Sequence, residues 1–171
     1  MSTDLRIATM ADIDAIVALV NLAFRVEEVF VTGDRTHTAE VREKMHTGHF
    51  LLAQDFGGRL TGCVYVRATA PRSYFGMLAV HPDHEGHGLG RSLIDAAEAR
   101  CLAAGCDVME MSVVSVMEHL VAWYLRLGYE AYGTEPYAEP ERELKMPVHF
   151  ILMARPLRGA ARRAQTAEAI A

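Results

Sequence analysis

The sequence has 171 residues, of which 51% are hydrophobic and 23% are charged, and its formal net charge is −5 at pH 7. This length predicts about one domain with a sizeable buried core, and this composition excludes a disordered chain. The negative charge argues against a nucleic-acid partner, which would need a basic surface to neutralise phosphates. The chain shows neither a signal-peptide pattern nor an apolar run long enough to cross a bilayer, so we expect no membrane association and a cytoplasmic location.

The first part of the chain predicts a strand followed by an amphipathic helix. Residues 5–8 are a short apolar strand candidate, and Thr9-Met10-Ala11-Asp12 fits a capping box that opens the helix. Glu27 and Glu28 follow the helix; we interpret them as a solvated face, with the alternative that they line a substrate cleft. The helix has apolar residues at helical spacing, which predict one buried stripe: Ile13, Ile16, Val17, Val20, Ala23 and Phe24.

The middle of the chain alternates between helix and strand signals. Residues 38–45 predict a short helix, residues 50–53 a strand, and Asp55-Phe56-Gly57-Gly58 a hairpin turn after which residues 60–66 pair back. Between residues 74 and 80 the only polar group is the Tyr74 hydroxyl, which is typical of a central strand covered on both faces. A helix is predicted over residues 89–104 and stops at Gly105.

The second half predicts a strand over residues 108–114 and a second capping box at Ser115-Val116-Met117-Glu118. The helix that this box opens ends at Gly128, a strand follows near residues 129–133, and the last strand covers residues 148–153. We expect residues 1–157 to form a single domain and residues 158–171 to be a flexible C-terminal tail. The apolar last strand suggests a possible homodimer.

The stretch Glu85-Gly86-His87-Gly88-Leu89-Gly90 lies between the central strand and the helix that begins near residue 89. Glycines at every second position let backbone N–H groups approach a ligand, and the helix N-terminus adds a positive dipole end, so the stretch suits a phosphate. It is neither a Walker loop nor a G-x-G-x-x-G fingerprint. By itself the spacing fits a tight strand-to-helix turn equally well.

The segments LAVHPDHEGHGLGRSLI and WYLRLGY, in this element order, resemble the GNAT superfamily of acyl-CoA-dependent N-acetyltransferases over residues 5–157. The family loop pattern has Gln or Arg, two residues, Gly, one residue, then Gly or Ala. Gly88 and Gly90 match this pattern, whereas Glu85 stands where Gln or Arg is usual. The resemblance implies an α/β (α+β) fold with a mixed, mostly antiparallel sheet, a splayed parallel pair of central strands, and helices on both faces.

The resemblance also implies that the chain binds acetyl-CoA as a co-substrate. The backbone of Leu78 and Val80 would bind the pantetheine arm, and Tyr124 would be the general acid that returns a proton to the CoA thiolate. The alternative for Tyr124 is a core residue with its hydroxyl at the edge. The pyrophosphate would be held by the loop and the first helical turn: Gly86, His87, Gly88, Leu89, Gly90, Arg91 and Ser92.

The implied reaction is acetyl transfer to the primary amine of a small molecule, by direct attack in a ternary complex. Glu110 is a candidate catalytic base that would bind or deprotonate the amine, with a solvent-facing side chain as the alternative. Glu27 and Glu28 are candidate substrate-binding residues that could do the same from the helical side. No base is therefore firmly assigned. Six acidic residues weakly suggest a cationic acceptor, with a generic acidic surface as the alternative interpretation: Glu27, Glu28, Glu135, Glu139, Glu141 and Glu143.

We expect no metal. His81, His84 and His87 are separated by Pro82 and Gly86, which disfavour stacking on one helical face. The three cysteines lack zinc-site spacing, so we interpret them as small hydrophobic residues, with a reactive thiol as the alternative. Three alternatives to the small-molecule enzyme stay open: a non-catalytic acyl-CoA-binding module, an acetyltransferase of a protein or peptide amine, and a different nucleotide-binding enzyme.

Overall fold

The computed structural model describes residues 5–138 and 142–158, which form one seven-stranded sheet with helices on both faces. The sheet order is β1-β2-β3-β4-β5-β7-β6, and every neighbouring pair is antiparallel except the parallel pair β4–β5. The predicted sheet architecture is therefore confirmed. Residues 159–171 of the predicted tail lie outside the described residues. The strands are β1 Leu5–Ile7, β2 His49–Gln54, β3 Leu60–Thr69, β4 Arg72–Val80, β5 Val108–Val114, β6 Glu130–Pro136 and β7 His149–Pro156; the helices are α1 Ile13–Ala23, α2 Thr38–Thr47, α3 Leu89–Ala103 and α4 Glu118–Arg126.

The helices cover the two faces of the sheet in pairs. Helices α1 and α2 pack on one face, where Ile16, Val20 and Val41 are fully buried against side chains of β2 and β3. Helices α3 and α4 pack on the other face, where Leu93 and Ile94 are fully buried. The entry to α1 confirms the first capping box, because the Asp12 carboxylate accepts a hydrogen bond from the Thr9 N–H at 2.7 Å.

Strand β4 changes face at a β-bulge. Tyr65 of β3 pairs with Gly76 and Cys63 pairs with Ala79, so two residues of β4, Met77 and Leu78, oppose one residue of β3. Met77 adopts a left-handed conformation with φ 47°, which a residue with a side chain rarely adopts. The central position of the strand is confirmed, but the expected coverage of both faces is wrong, because alternate residues from position 74 to 80 are only half-buried.

Strands β4 and β5 diverge shortly after they pair. The parallel register consists of Arg72 with Val108, Ser73 with Met109, and Tyr74 with Glu110. Strand β5 continues beyond this point in register with β7 as far as Val114. The edge of β4 from residue 75 to 80 therefore has no strand partner on the β5 side, and a cleft opens there. This is the predicted splayed pair.

The second predicted capping box is wrong. Helix α4 begins at Glu118 and its N-cap residue, Met117, makes no side-chain capping bond. The Ser115 hydroxyl instead accepts a hydrogen bond from the His149 N–H at 3.3 Å, so it ties the turn after β5 to β7. Strand β7 is paired on both sides, with β5 and β6, so it offers no open edge for a second copy. Within the described ranges, no helix combines the length and the apolar character needed to cross a membrane.

Candidate active site

The loop between β4 and α3 presents backbone N–H groups at the start of a 15-residue helix. Gly86 and Gly88 have φ of 75° and 80°, a conformation that favours glycine, and Gly88 is the N-cap residue of α3. The first hydrogen bond of the helix runs from the Ser92 N–H to the Gly88 carbonyl at 3.0 Å. The N–H groups of residues 89–91 precede that bond, so this end of α3 has the geometry of an anion site.

The side chains at this helix start contribute little positive charge. The Arg91 Nε donates to Asp95 Oδ1 at 2.7 Å on the exposed side of α3. The Ser92 hydroxyl donates to the Gly88 carbonyl at 3.2 Å, and the Glu85 side chain is exposed. An anion held here would therefore contact backbone N–H groups first and the Arg91 guanidinium second.

A cavity of about 560 Å³ lies in the cleft between β4 and β5. Its walls include residues 75–78 of β4 and residues 110–114 of β5, with α4 at one side and the segment after α1 at the other. Leu78 is half-buried on the β4 wall, and Val80 is half-buried two residues further along β4, beyond the residues that line the cavity. Both lie on the part of β4 that has no strand partner on the β5 side. The charged side chains that line the cavity are Glu27, Arg35, Glu40, Lys44, Arg67, Glu110 and Glu135.

Tyr124 of α4 lines this cavity with its ring packed in the core. The ring lies 6.1 Å from the Phe75 ring and 5.9 Å from the Tyr129 ring, centroid to centroid, and the residue is 6% exposed. Burial raises the pKa of the Tyr124 phenol above its usual value, and the nearby Tyr74 phenol adds to the increase. The hydroxyl therefore stays protonated throughout the neutral pH range. Tyr124 therefore combines a ring packed in the core with a place in the cavity wall, and its role as general acid stays a prediction.

The structure gives Glu110 two hydrogen-bonding partners. Its carboxylate accepts bonds from the Arg72 guanidinium, with Arg72 Nε 3.0 Å from Glu110 Oε2, and from the Tyr132 hydroxyl at 3.0 Å. The Arg72 hydrogen bonds lower the pKa of Glu110 most, partial burial opposes them, and the Tyr132 bond lowers it further. Glu110 lines the cleft, but its lowered pKa makes it a poor proton acceptor.

The two other predicted carboxylates, Glu27 and Glu28, lie in different places. Glu27 lines the cleft and is buried, and its Oε2 accepts a hydrogen bond from Arg142 Nη1 at 2.5 Å. Glu28 is exposed and lines a different pocket, between the end of α1 and residues 33–35. The structure therefore brings Glu27 and Glu110 to the cleft but not Glu28. The sequence did not predict Arg142 as a partner of Glu27, because the two residues lie 115 positions apart in the chain.

The histidines of the loop after β4 make contacts with residues close to them in sequence. His81 Nδ1 accepts a hydrogen bond from the Asp83 N–H at 3.2 Å, and the His81 and His84 rings lie 6.0 Å apart at their centroids. Across residues 5–138 and 142–158, no group of three His, Cys, Asp or Glu side chains has the arrangement of a metal site.

Comparison with solved structures identifies the fold first. The ribosomal-protein-S18-alanine N-acetyltransferase of Escherichia coli aligns with a TM-score of 0.75 over 91% of this chain and 94% of its own, at 14% identity. A GNAT superfamily phosphinothricin acetyltransferase of Sinorhizobium meliloti, solved with AcCoA, aligns with a TM-score of 0.71 over 91% of this chain and 89% of its own, at 20% identity. At such identities the likeness shows a shared fold, which is the GNAT fold.

The sequence comparison then identifies the family. The family model described as "Acetyltransferase (GNAT) family" matches residues 14–129, and the chain belongs to this family. The mycothiol acetyltransferase of Propionibacterium freudenreichii subsp. shermanii is 26% identical over 144 residues, which cover 81% of this chain and 46% of that enzyme. The chain thus matches about half the length of this curated relative.

Proposed function

We propose that this protein transfers an acetyl group from acetyl-CoA to the primary amine of a small molecule, by direct attack in a ternary complex. The divergence of β4 and β5 beyond Tyr74 and Glu110 carries the proposal, because it leaves a backbone edge and a cleft that suit an extended pantetheine chain. Family membership supports the reaction class, and the AcCoA-bound relative of the same fold supports the co-substrate.

In this proposal acetyl-CoA lies along β4 and ends at the start of α3. Backbone groups at Leu78 and Val80 bind the pantetheine arm in place of a strand partner. The N–H groups of residues 86–90 take the pyrophosphate, and Arg91 and Ser92 stand in the first turn beside it. Since the side chains here add little charge, backbone geometry supplies most of the cofactor affinity.

The chemical step places the amine nitrogen on the thioester carbonyl carbon. A carbon–nitrogen bond forms, the carbon–sulfur bond breaks, the nitrogen loses one proton, and the departing CoA sulfur gains one. Tyr124 donates a hydrogen bond or its proton to that sulfur. Burial raises the pKa of this phenol, and it raises the pKa of a thiol leaving into the same cleft as well, so the donor and the acceptor shift in the same direction.

The acidic residues have supporting roles in this scheme. Glu110 stays ionised next to Arg72, so we assign it an electrostatic role at the cleft mouth and no proton transfer. Glu27 is neutralised by Arg142, so it shapes the cleft wall where the acceptor would enter. A cleft of about 560 Å³ with such walls favours a small molecule over a folded protein as the acceptor.

The test is a screen of small amines and short peptides with acetyl-CoA, with release of free CoA thiol as the readout. We expect turnover of at least one small amine, and loss of most of that turnover in the variant Tyr124→Phe. Tight CoA binding without turnover of any amine would favour a non-catalytic module, and turnover of peptides alone would favour a protein acceptor. Stabilisation of the fold by ATP or NAD, with none by acetyl-CoA, would favour another nucleotide-binding enzyme.

A further inference from the structure

Three residues of the cleft form one row across the sheet. Arg67 of β3 is the register partner of Tyr74 of β4, and Tyr74 is the register partner of Glu110 of β5. Paired residues on adjacent strands share a face of the sheet, so a cation, an aromatic ring and a carboxylate stand side by side. All three line the cavity at the end where β4 and β5 separate.

The Tyr74 side chain lies along its own strand, over Gly76. A Cβ atom at Gly76 would be 2.8 Å from the Tyr74 hydroxyl oxygen and 2.9 Å from Tyr74 Cε1, which is closer than real Cβ contacts allow. The glycine therefore makes room for the ring, and the ring directs its hydroxyl toward the middle of β4. The Tyr74 phenol is also near enough to Tyr124 to influence its ionisation. Both tyrosines line the cavity.

Arg67 differs from most of the other charged residues of this cleft, which form ion pairs. Glu27 pairs with Arg142, Glu110 with Arg72, and Glu40 with Lys44. Among the described residues no carboxylate lies within ion-pair distance of Arg67. Its guanidinium carbon instead stands over the Tyr74 ring, 5.7 Å from the centroid, and its exposed side chain also contributes to lowering the pKa of Glu110.

From this arrangement we infer that Arg67 and Tyr74 recognise the acceptor, and that the acceptor is an amine that also carries an anionic group such as a carboxylate. The inference deepens the proposed function and rests on it. The Arg67 guanidinium holds the anion with paired N–H···O bonds, and the Tyr74 hydroxyl binds near the amine on the path to the thioester. The weakly favoured cationic acceptor gives way to one that carries both charges, because three of the four acidic residues that line the cleft, Glu27, Glu40 and Glu110, already have cationic partners.

Matched pairs of acceptors test this inference: an amino acid and the amine that lacks only its carboxylate, such as phenylalanine with phenethylamine and leucine with isopentylamine. We expect wild-type protein to use the carboxylate-bearing member with a KM at least about tenfold lower, which corresponds to about 1.4 kcal/mol. Arg67→Gln should remove that preference and leave the KM for acetyl-CoA unchanged. The control Arg42→Gln changes an exposed arginine outside the cleft and should keep the preference.

Two further variants distinguish the contribution of Tyr74 to acceptor binding from that of Arg67. Tyr74→Phe keeps the ring under Arg67, so it should raise the KM for every acceptor while preserving the carboxylate preference. Gly76→Ala displaces the ring and should both raise the KM for every acceptor and weaken the carboxylate preference. Circular dichroism and the melting temperature establish that each variant is folded. A wild-type protein that prefers the amines without a carboxylate, or an Arg67→Gln effect equal for both members of a pair, would overturn the inference.

A binding measurement distinguishes failure of the inference from failure of the proposed function. With CoA present, a carboxylate-bearing amine should raise the melting temperature of the wild type and not that of Arg67→Gln. If no amine is acetylated but this selective stabilisation is seen, the proposed reaction is wrong and the recognition stands. If amines are acetylated without any selectivity in rate or in stabilisation, the reaction stands and the recognition is wrong.

Discussion

Glu27 and Arg142 form a buried ion pair between the segment after α1 and the segment before β7, with 2.5 Å between Glu27 Oε2 and Arg142 Nη1. The two residues are 7% and 9% exposed, so neither charge is well solvated. Around this pair, Val31 forms a β-bridge with Leu144, and the Lys145 N–H donates to the Phe30 carbonyl at 2.8 Å. The pair therefore joins two distant parts of the chain at the point where Glu27 lines the cleft.

Removing one member of this pair should destabilise the fold strongly. Arg142→Met leaves the Glu27 charge buried without its arginine, and we expect a loss of about 3–5 kcal/mol in the free energy of unfolding, measured with urea. The double variant Glu27→Gln, Arg142→Met should recover much of that loss, since no charge is left buried. The control Arg91→Met breaks the half-exposed pair with Asp95 and should cost less than about 1 kcal/mol. Equal losses of stability for Arg142→Met and Arg91→Met would contradict the assignment of a strongly stabilising buried ion pair.

Tyr124→Phe should lower kcat about 100-fold or more while leaving the affinity for CoA unchanged, because only the hydroxyl is lost. Calorimetric titration with CoA and steady-state rates measure the two quantities. Tyr129→Phe is the matched control: that hydroxyl donates to Glu98 Oε1 at 2.6 Å, away from the cleft, so its loss should reduce stability and spare kcat. A Tyr124→Phe variant with the wild-type rate would exclude the acid role.

The pH dependence of the rate follows from the direction of the Tyr124 shift. A phenol whose pKa lies above the ordinary value near 10 keeps its proton as the pH rises through the neutral and mildly alkaline range. We therefore expect no loss of kcat between about pH 7 and pH 9 that depends on this residue. The measurement compares wild-type and Tyr124→Phe profiles, and a falling limb in that window that vanishes in the variant would count against a raised pKa.

Gly88 and Gly90 should respond differently to alanine. Gly88 has φ of 80° with open space around it, so Gly88→Ala costs backbone strain of about 1–2 kcal/mol and shifts the helix start, which should weaken CoA binding. A Cβ at Gly90 would make ordinary contacts, 3.6 Å from Trp123 and 3.7 Å from Val80. Gly90→Ala should keep the dissociation constant for CoA within about threefold. Calorimetry on both variants checks this order, and a reversed order would refute it.

Glu85→Gln should tighten CoA binding. The exposed carboxylate is next to the N–H groups proposed for the pyrophosphate, and removing a negative charge there should improve affinity about two- to fivefold at low salt. The gain should shrink at high salt, because solvent-exposed charges are screened. Glu43→Gln, on the exposed surface of α2, is the control for a general change in net charge. An unchanged dissociation constant at low salt would mean that Glu85 is too distant to act.

The sequence predicted those parts of the fold that depend on local signals. The glycine loop into α3 and the hairpin turn are set by residues close in sequence; at the turn, Asp55 Oδ1 accepts bonds from the N–H groups of Gly57 and Arg59, at 2.9 Å each. Helical spacing also predicted the buried position of the Tyr124 ring, whereas its place beside the cofactor was implied only by the family resemblance. These features depend on short-range chemistry, so the sequence alone carries them.

The remaining features depend on contacts between distant segments. Ser115 looks like a helix cap until β7 supplies the His149 N–H, and Glu110 looks solvent-facing until β4 places Arg72 beside it. The bulge at Met77 requires a left-handed conformation at a residue whose type gives no sign of it. The sequence likewise did not predict that the Tyr74 ring lies over Gly76 of the same strand.

The sheet order has a consequence for synthesis of the chain. Strand β6 pairs only with β7, which is made later and inserts between β5 and β6. A nascent chain that ends before residue 149 therefore has every other strand but nothing for β6 to pair with, and the Tyr132 side of the cleft stays unformed. We expect the amides of residues 130–136 in such a truncated chain to exchange with solvent as fast as unfolded peptide, whereas those of β2 and β3 are protected.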